Sequence, residues 1–153
     1  MMARTYLVVI DDSAEARSAL RFAARRAAKT GGAVEVLAIV PPQDFVQWGG
    51  VQAAIEEEQR LRIEASIAAH VGEIVDAAGI KPTLVVEQGE PVSVVRGYVG
   101  TRNDIAALVL AAAPSGDPGP VVTNFTGHDA GKLPCIVMII PGSLSDEQLE
   151  ALS

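Results

Sequence analysis

The sequence is poor in metal-binding and disulfide-forming residues. Its 153 residues include one cysteine, Cys135, and two histidines, His70 and His128. A single cysteine cannot form a disulfide within the chain, and so few thiol and imidazole groups do not make a zinc site. The apolar runs are far shorter than the roughly 20 residues of a membrane span, and no signal sequence is visible. We therefore expect a cytoplasmic protein that holds no metal and does not enter a membrane.

Aromatic residues and positive charge are also scarce. Aromatic residues make up 4% of the chain, and 12 lysines and arginines stand against 19 acidic residues, for a formal net charge of −7. Nucleic-acid binding relies on clustered basic residues, and binding of single strands relies on aromatic platforms. A nucleic-acid partner is therefore not expected. The hydrophobic fraction of 49% is typical of one folded domain rather than a disordered chain.

Apolar runs of strand length alternate with segments of helical periodicity. The predicted strands are residues 6–10, 34–40, 82–87, 104–111 and 135–140. Nearly continuous apolar strands separated by helices predict an α/β fold, a doubly wound five-stranded parallel sheet with helices on both faces. We assign residues 1–141 to a single domain and residues 142–153 to a short, partly helical tail with a capping box at Ser145 and Gln148.

The predicted helices have recognisable ends and faces. Asp12, with Glu15 three residues later, is expected to cap the first helix. A long helix is predicted over residues 51–78, with Glu56-Glu57-Glu58 in solvent, and a short helix is predicted from Pro91. A weak helix is predicted over 121–130. The expected inward residues of the first helix are Ala16, Ala19, Leu20, Ala23 and Ala27, and those of the long helix are Ile55, Leu61, Ala65, Ala68, Ala69, Val71 and Val75.

Ligands of doubly wound sheets bind beyond the carboxyl ends of the strands. Asp11-Asp12 follows the first strand, as does the Mg²⁺-binding pair of receiver domains. The positions where a receiver needs Asp, a hydroxyl residue and Lys are here Glu87-Gln88, Ala111-Ala112 and Ile140-Pro141, so the receiver interpretation fails. No nucleophile, base and orienting group occur together, and no catalytic residue is expected. Cys135 is expected to be an inert thiol in an apolar strand.

The loop after the fourth strand has two interpretations. Gly116 and Gly119 would let backbone N–H groups approach a phosphate, but the loop has no basic residue, and its prolines lack N–H donors. The favoured interpretation is therefore a plain connecting loop. Thr123 and Asn124 would then either cap the next helix or contact a phosphate.

Several motifs, in order, resemble those of universal stress proteins. The resemblance covers about residues 4–141 and implies the fold predicted above, which is Rossmann-like, together with a homodimer joined through the last strand, Cys135 to Ile140. The matching segments are Leu7-Val8-Val9-Ile10-Asp11-Asp12-Ser13, Val36-Leu37-Ala38-Ile39-Val40-Pro41-Pro42, Val86-Glu87-Gln88-Gly89-Glu90-Pro91, residues 104–110, and Leu133-Pro134-Cys135-Ile136-Val137-Met138-Ile139-Ile140.

Some members of that family bind ATP, and the resemblance implies where a nucleotide would lie. Asp11 would contact the nucleotide and Ile39 the adenine. The family's phosphate loop is Gly-x-x-Gly, nine residues, then Gly-Ser or Gly-Thr, and it begins directly after the fourth strand. Here Ala111 and Pro114 occupy the first two glycine positions, and the Gly-Ser pair falls near Thr123-Asn124. The ATP motif is therefore degenerate.

Three functions follow as hypotheses. The first is a non-catalytic, dimeric stress-response module with weakened ATP binding. The second is an ATP- or AMP-binding switch with slow turnover. The third is an adaptor that docks through Phe45, Val46 and Trp48. The switch would use Asp11, Ile39, Gly116, Gly119, Thr123 and Asn124.

Overall fold

Strands and helices alternate along the whole chain. The computed structural model describes residues 4–10, 13–40 and 49–153. The strands are Thr5–Ile10 (β1), Ala33–Val40 (β2), Thr83–Gln88 (β3), Ile105–Ala112 (β4) and Ile136–Pro141 (β5). The helices are Ala16–Thr30 (α1), Gly49–Ala78 (α2), Pro91–Gly100 (α3), Pro120–Thr126 (α4) and Asp146–Leu152 (α5).

The strands form one parallel sheet in the order β3-β2-β1-β4-β5. Val8 of the central strand pairs with Val36 on one side and Val109 on the other, and all three are fully buried. Such strands need apolar residues on both faces, which explains the continuous apolar runs in the sequence. The predicted doubly wound α/β fold is confirmed.

Alternate residues of the strands supply two hydrophobic cores, one on each face of the sheet. Val8 and Ile10 pack with α1, the second half of α2 and Leu149 of α5. Leu7 packs on the opposite face with α3 and α4, including Phe125. The five residues predicted for the inward face of α1 are all buried, so that prediction is confirmed.

The start of α1 differs from the prediction. The helix begins at Ala16, and its N-cap is Glu15, whose side chain makes no capping hydrogen bond. Asp12 is therefore too early in the chain to be the N-cap, and it lies outside the described residues. The helix ends as predicted, because Gly31 adopts a positive φ of 72° and its N–H donates to the carbonyl of Ala27.

The predicted inward stripe of α2 is largely wrong. Among the side chains of α2 that the structure describes, which do not include Val75 of the predicted stripe, Ile67 and Ile74 are buried, with Ile63 and Val71 partly buried beside them. Spacings of four, four and three place these β-branched residues on one face, whereas alanine is small enough to lie on either. None of the described helices combines the length and apolar composition that a bilayer crossing requires. The exposed members of the predicted stripe are Leu61, Ala65, Ala68 and Ala69.

The C-terminal residues pack on α1 of the same chain. The capping box predicted at Ser145 and Gln148 is present, and it opens α5. Leu149 of α5 is fully buried in the core that α1 also lines. Arg21 and Asp146 form an ion pair of 2.8 Å at the surface. Because exposed ion pairs contribute little, the buried leucine is the main anchor of this segment.

A polar cluster lies at the end of the sheet where the strands begin. Arg102 donates to both carboxylate oxygens of Asp104, at 2.8 and 2.7 Å, and to Glu35 at 2.8 Å. The Tyr98 hydroxyl also donates to Glu35. The Arg102 hydrogen bonds lower the pKa of Asp104 to about 2, while burial and the Glu35 carboxylate raise the pKa of Tyr98 to about 12.

Candidate ligand-binding site

A cavity of about 240 Å³ lies at the opposite end of the sheet from the polar cluster, where β1, β2 and β4 end. This is the position that doubly wound sheets use for ligands. The first residues of α3 and α4 close its sides. Its described lining residues are Val9, Ile10, Ser13, Ile39, Pro91, Leu110, Ala111, Pro118, Gly119, Pro120, Val121 and Val122.

The lining is almost entirely apolar. Among the described lining residues, Ser13 is the only one with a polar side chain, and none is charged. Pro118 and Pro120 have no backbone N–H, so two donors are missing from the loop that faces the cavity. The wall therefore suits apolar groups better than phosphate oxygens.

The loop before α4 satisfies one of its own donors. The Asp117 carboxylate accepts a 2.8 Å hydrogen bond from the N–H of Gly119. Gly119 has a positive φ of 107°, which a residue with a side chain would rarely adopt. The glycine is therefore needed for the shape of the turn, and its N–H is directed to the chain's own carboxylate.

The backbone N–H groups at the start of α3 also donate to a carboxylate of the chain itself. The Glu90 carboxylate accepts from the N–H groups of Val92 and Ser93, at 3.1 and 2.8 Å. These bonds, the Ser93 bond foremost, lower the pKa of Glu90. Pro91 lines the cavity, so the negatively charged Glu90 directly precedes a lining residue in the sequence. The helix that starts at Pro91 was predicted from the sequence, but the capping role of Glu90 was not.

Of the five sequence-predicted site residues that the structure describes, two line the cavity. Ile39 and Gly119 line the cavity, whereas Gly116 is absent from its described lining. Thr123 is exposed on α4 and also lies outside the lining. Asn124 is likewise absent from the described lining, and its side-chain amide donates to Asp129 at 2.8 Å. Asp11 lies outside the described residues.

Asn124 belongs to a hydrogen-bonded cluster that joins α3 to the turn after α4. Asp129 is only 6% exposed, and it accepts from Arg96 at 2.8 Å as well as from Asn124. These two donors, Asn124 first, lower the pKa of Asp129. Sequence reasoning missed Asp129 and Arg96, because nothing in their local pattern indicates a contact between residues 33 apart.

Other candidate chemistry is limited in the described part of the chain. No group of three or more His, Cys, Asp or Glu residues is placed to hold a metal there. Cys135 is half-buried just before β5, and burial raises the pKa of its thiol. A raised pKa leaves little thiolate at neutral pH, so this cysteine is a poor nucleophile.

The sequence profile of the universal stress protein family matches residues 2–141. The chain belongs to that family. Universal stress protein UspA from Lactobacillus plantarum is similar in structure, with a TM-score of 0.76, 17% identity, and coverage of 92% of this chain and 99% of that one. A universal stress protein from Archaeoglobus fulgidus has a TM-score of 0.63, 20% identity, and coverage of 92% and 95%.

A third solved structure is described as a universal stress protein in complex with cAMP. It has a TM-score of 0.59, 18% identity, and coverage of 94% of this chain and 100% of that one. No curated protein matches the chain closely enough to add to these comparisons. At these identities, the solved structures establish the fold of this universal stress protein.

This universal stress protein departs from the phosphate-loop pattern of the family resemblance at the loop beside the cavity. Ala111 lines the cavity with a methyl group where the family pattern has glycine. Pro114 lies beside Gly142, which follows β5. A side chain at Gly142 would bring its Cβ within 3.1 Å of the Pro114 Cδ. The second family glycine is thus replaced by a residue that packs towards the end of β5.

Proposed function

We propose that this universal stress protein is a non-catalytic, homodimeric stress-response module that does not bind ATP tightly. The observation that supports this most directly is the hydrogen bond from the Gly119 N–H to the Asp117 carboxylate. It places a negative charge where a phosphate-binding loop needs a free donor.

The magnitude of the effect follows from the lost contacts. A hydrogen bond to a charged group contributes about 1.5–3 kcal/mol, so the loss of one weakens binding roughly tenfold or more. The loop has lost the N–H groups of two prolines, and its glycine donor is already engaged. Repulsion from Asp117 adds to this loss. We expect ATP to be held far more weakly than in a complete phosphate loop.

Calorimetric titration of the purified protein with ATP and Mg²⁺ tests this proposal. We expect no binding heat at micromolar protein, no nucleotide released on denaturation, and phosphate release no faster than in buffer. The double variant Ala111→Gly with Asp117→Asn should bind ATP at least tenfold more tightly, because it removes one methyl group and one negative charge. Glu147→Gln on α5 makes the same charge change far from the cavity and should leave ATP binding unchanged.

A nucleotide switch is the second candidate, and the relative solved with cAMP favours it. Micromolar ATP or AMP binding by the unmodified protein would contradict the first proposal in favour of this one. In that case, Asp11→Ala should abolish nucleotide binding, as the family resemblance implies. The adaptor hypothesis rests on Phe45, Val46 and Trp48, which lie outside the described residues.

The homodimer part of the proposal rests on β5. It is an edge strand, paired within this chain to β4, and Ile136 at its start is 60% exposed. An apolar edge with an unpaired row of backbone groups favours association with a second copy. Through this strand, two copies would cover each other's edges.

Sedimentation at micromolar concentration tests the dimer. The unmodified protein should sediment as a dimer, and Ile136→Lys should shift it towards the monomer by burying a charge between the two edges. Leu84→Lys places the same charge on β3, the opposite edge of the sheet, where Leu84 is 39% exposed. This control should remain dimeric. A monomeric unmodified protein would refute the dimer.

A further inference from the structure

We infer that the cavity at the ends of β1, β2 and β4 binds a small, predominantly apolar molecule that carries no negative charge. The inference rests on the proposed function, since it names the ligand class of the same cleft. It differs from a loss of binding, because it assigns the cleft a ligand of its own. Size, charge and rigidity of the described residues support it independently.

Size and lining indicate a fragment-sized apolar ligand. Pockets for drug-sized molecules span roughly 300–1,000 Å³, and this cavity is somewhat smaller at about 240 Å³. Aliphatic side chains reach it from several elements, among them Val9 of β1, Ile39 of β2, Leu110 of β4 and Val121 of α4. A compact aromatic or aliphatic molecule would bury apolar surface against all of these at once.

Charge around the cavity disfavours anions. The Glu90 carboxylate caps the start of α3, and the Asp117 carboxylate accepts from the N–H of Gly119 just before α4. The first residues of both helices line the cavity, and no described lining residue is basic. An anionic ligand would meet these acidic groups, and the described lining holds no cation to offset them.

The described walls are held in place without a ligand. Pro91, Pro118 and Pro120 restrict the backbone of the two segments that close the sides. Phe125 of α4 is buried in the core. The hydrogen-bonded cluster of Asn124, Asp129 and Arg96 joins α4 to α3. A preformed apolar cavity loses little conformational entropy when it is filled, which favours binding of small molecules.

A matched pair of fluorescent probes tests the inference in the purified full chain. N-phenyl-1-naphthylamine is uncharged, and 8-anilinonaphthalene-1-sulfonate has the same aromatic skeleton with one sulfonate. We expect saturable binding of one uncharged probe per chain, at least tenfold tighter than binding of the sulfonate. Equal or tighter binding of the sulfonate, or no saturable binding of the uncharged probe, would overturn the inference.

Cavity-filling variants locate the probe. Val121→Phe should weaken binding of N-phenyl-1-naphthylamine at least tenfold by occupying the space, whereas Thr123→Phe places the same ring on the exposed side of α4 and should leave binding unchanged. Ala111→Leu fills the cavity from β4 and guards against misfolding of the α4 variant. Unchanged probe binding in both filling variants would show that the probe binds elsewhere and would refute the inference.

The two proposals can fail separately. Heat from the ATP titration bears on the proposed function, whereas the preference between the two aromatic probes bears on the ligand class. If ATP binds at micromolar concentration, while the uncharged probe is still preferred tenfold and Val121→Phe weakens binding of the probe but not of ATP, the proposed function alone is wrong. If ATP gives no heat and the uncharged probe does not bind, the inference alone is wrong.

Discussion

Replacement of Phe125 by alanine should lower the free energy of unfolding by about 3–5 kcal/mol. Phe125 is 1% exposed and is among the largest fully buried side chains of the described residues. It belongs to the core between the sheet and the helices α3 and α4, so its removal leaves a cavity there. Urea unfolding followed by circular dichroism would measure the change as a shift of the midpoint at constant slope.

Leu61→Ala is the matched control for that experiment. Leu61 is 55% exposed on α2, so its truncation should change the free energy of unfolding by no more than about 0.5 kcal/mol. If Phe125→Ala is as mild as Leu61→Ala, then α4 does not pack on the sheet as described. Because Val121 and Val122 of the same helix line the cavity, Phe125→Ala should also weaken binding of the uncharged probe.

Arg102→Met should destabilise the protein by about 2 kcal/mol at neutral pH. Hydrogen bonds to charged groups contribute about 1.5–3 kcal/mol, and the partial exposure of Arg102 places the expected loss towards the lower end of that range. Methionine keeps the apolar stem of the side chain but leaves Glu35 and Asp104 without their cation. Thermal or urea unfolding would measure the difference.

The pH dependence provides a second measurement on the same variant. Arg102 lowers the pKa of Asp104 from an ordinary 3.8 to about 2, so this group stabilises the folded state above about pH 4. That stability is lost as the pH falls from about 4 to about 2. In Arg102→Met, the loss over this window should shrink, because the pKa of Asp104 returns towards its ordinary value.

Arg62→Met is the control for the charge itself. Arg62 lies 3.9 Å from Glu58 in a highly exposed pair on α2. Its replacement should change stability by less than about 0.5 kcal/mol and should leave the acid-side pH dependence unaltered. If Arg102→Met behaves like Arg62→Met, the cluster at the start of the strands contributes no net stability.

The sequence alone was sufficient for the fold because its signals are local. Five apolar runs such as Val36–Val40 can be accommodated only in a sheet covered on both faces, and Gly31 marks the end of α1 through its positive φ. The order of the family motifs also depends only on sequence. The inward face of α2 was mispredicted, because alanines such as Ala65 are compatible with either face.

The candidate site could be predicted only in part. Ile39 and Gly119 line the cavity, since Ile39 lies near the end of β2 and Gly119 directly precedes α4. Asn124 was expected either to cap the next helix or to contact a phosphate, but its side chain donates to Asp129, which also accepts from Arg96 of α3. Such a contact depends on how two helices pack, which residue spacing does not reveal.

The sequence by itself determined the fold class, the family and the weakened phosphate motif, because each depends on residue type at a position along the chain. Only the tertiary structure decided what replaces that motif. It showed that Asp117 takes the glycine donor, that Glu90 caps α3, and that aliphatic residues from separate elements converge on one cavity. These features require distances between groups that become neighbours only when the sheet and its helices pack together.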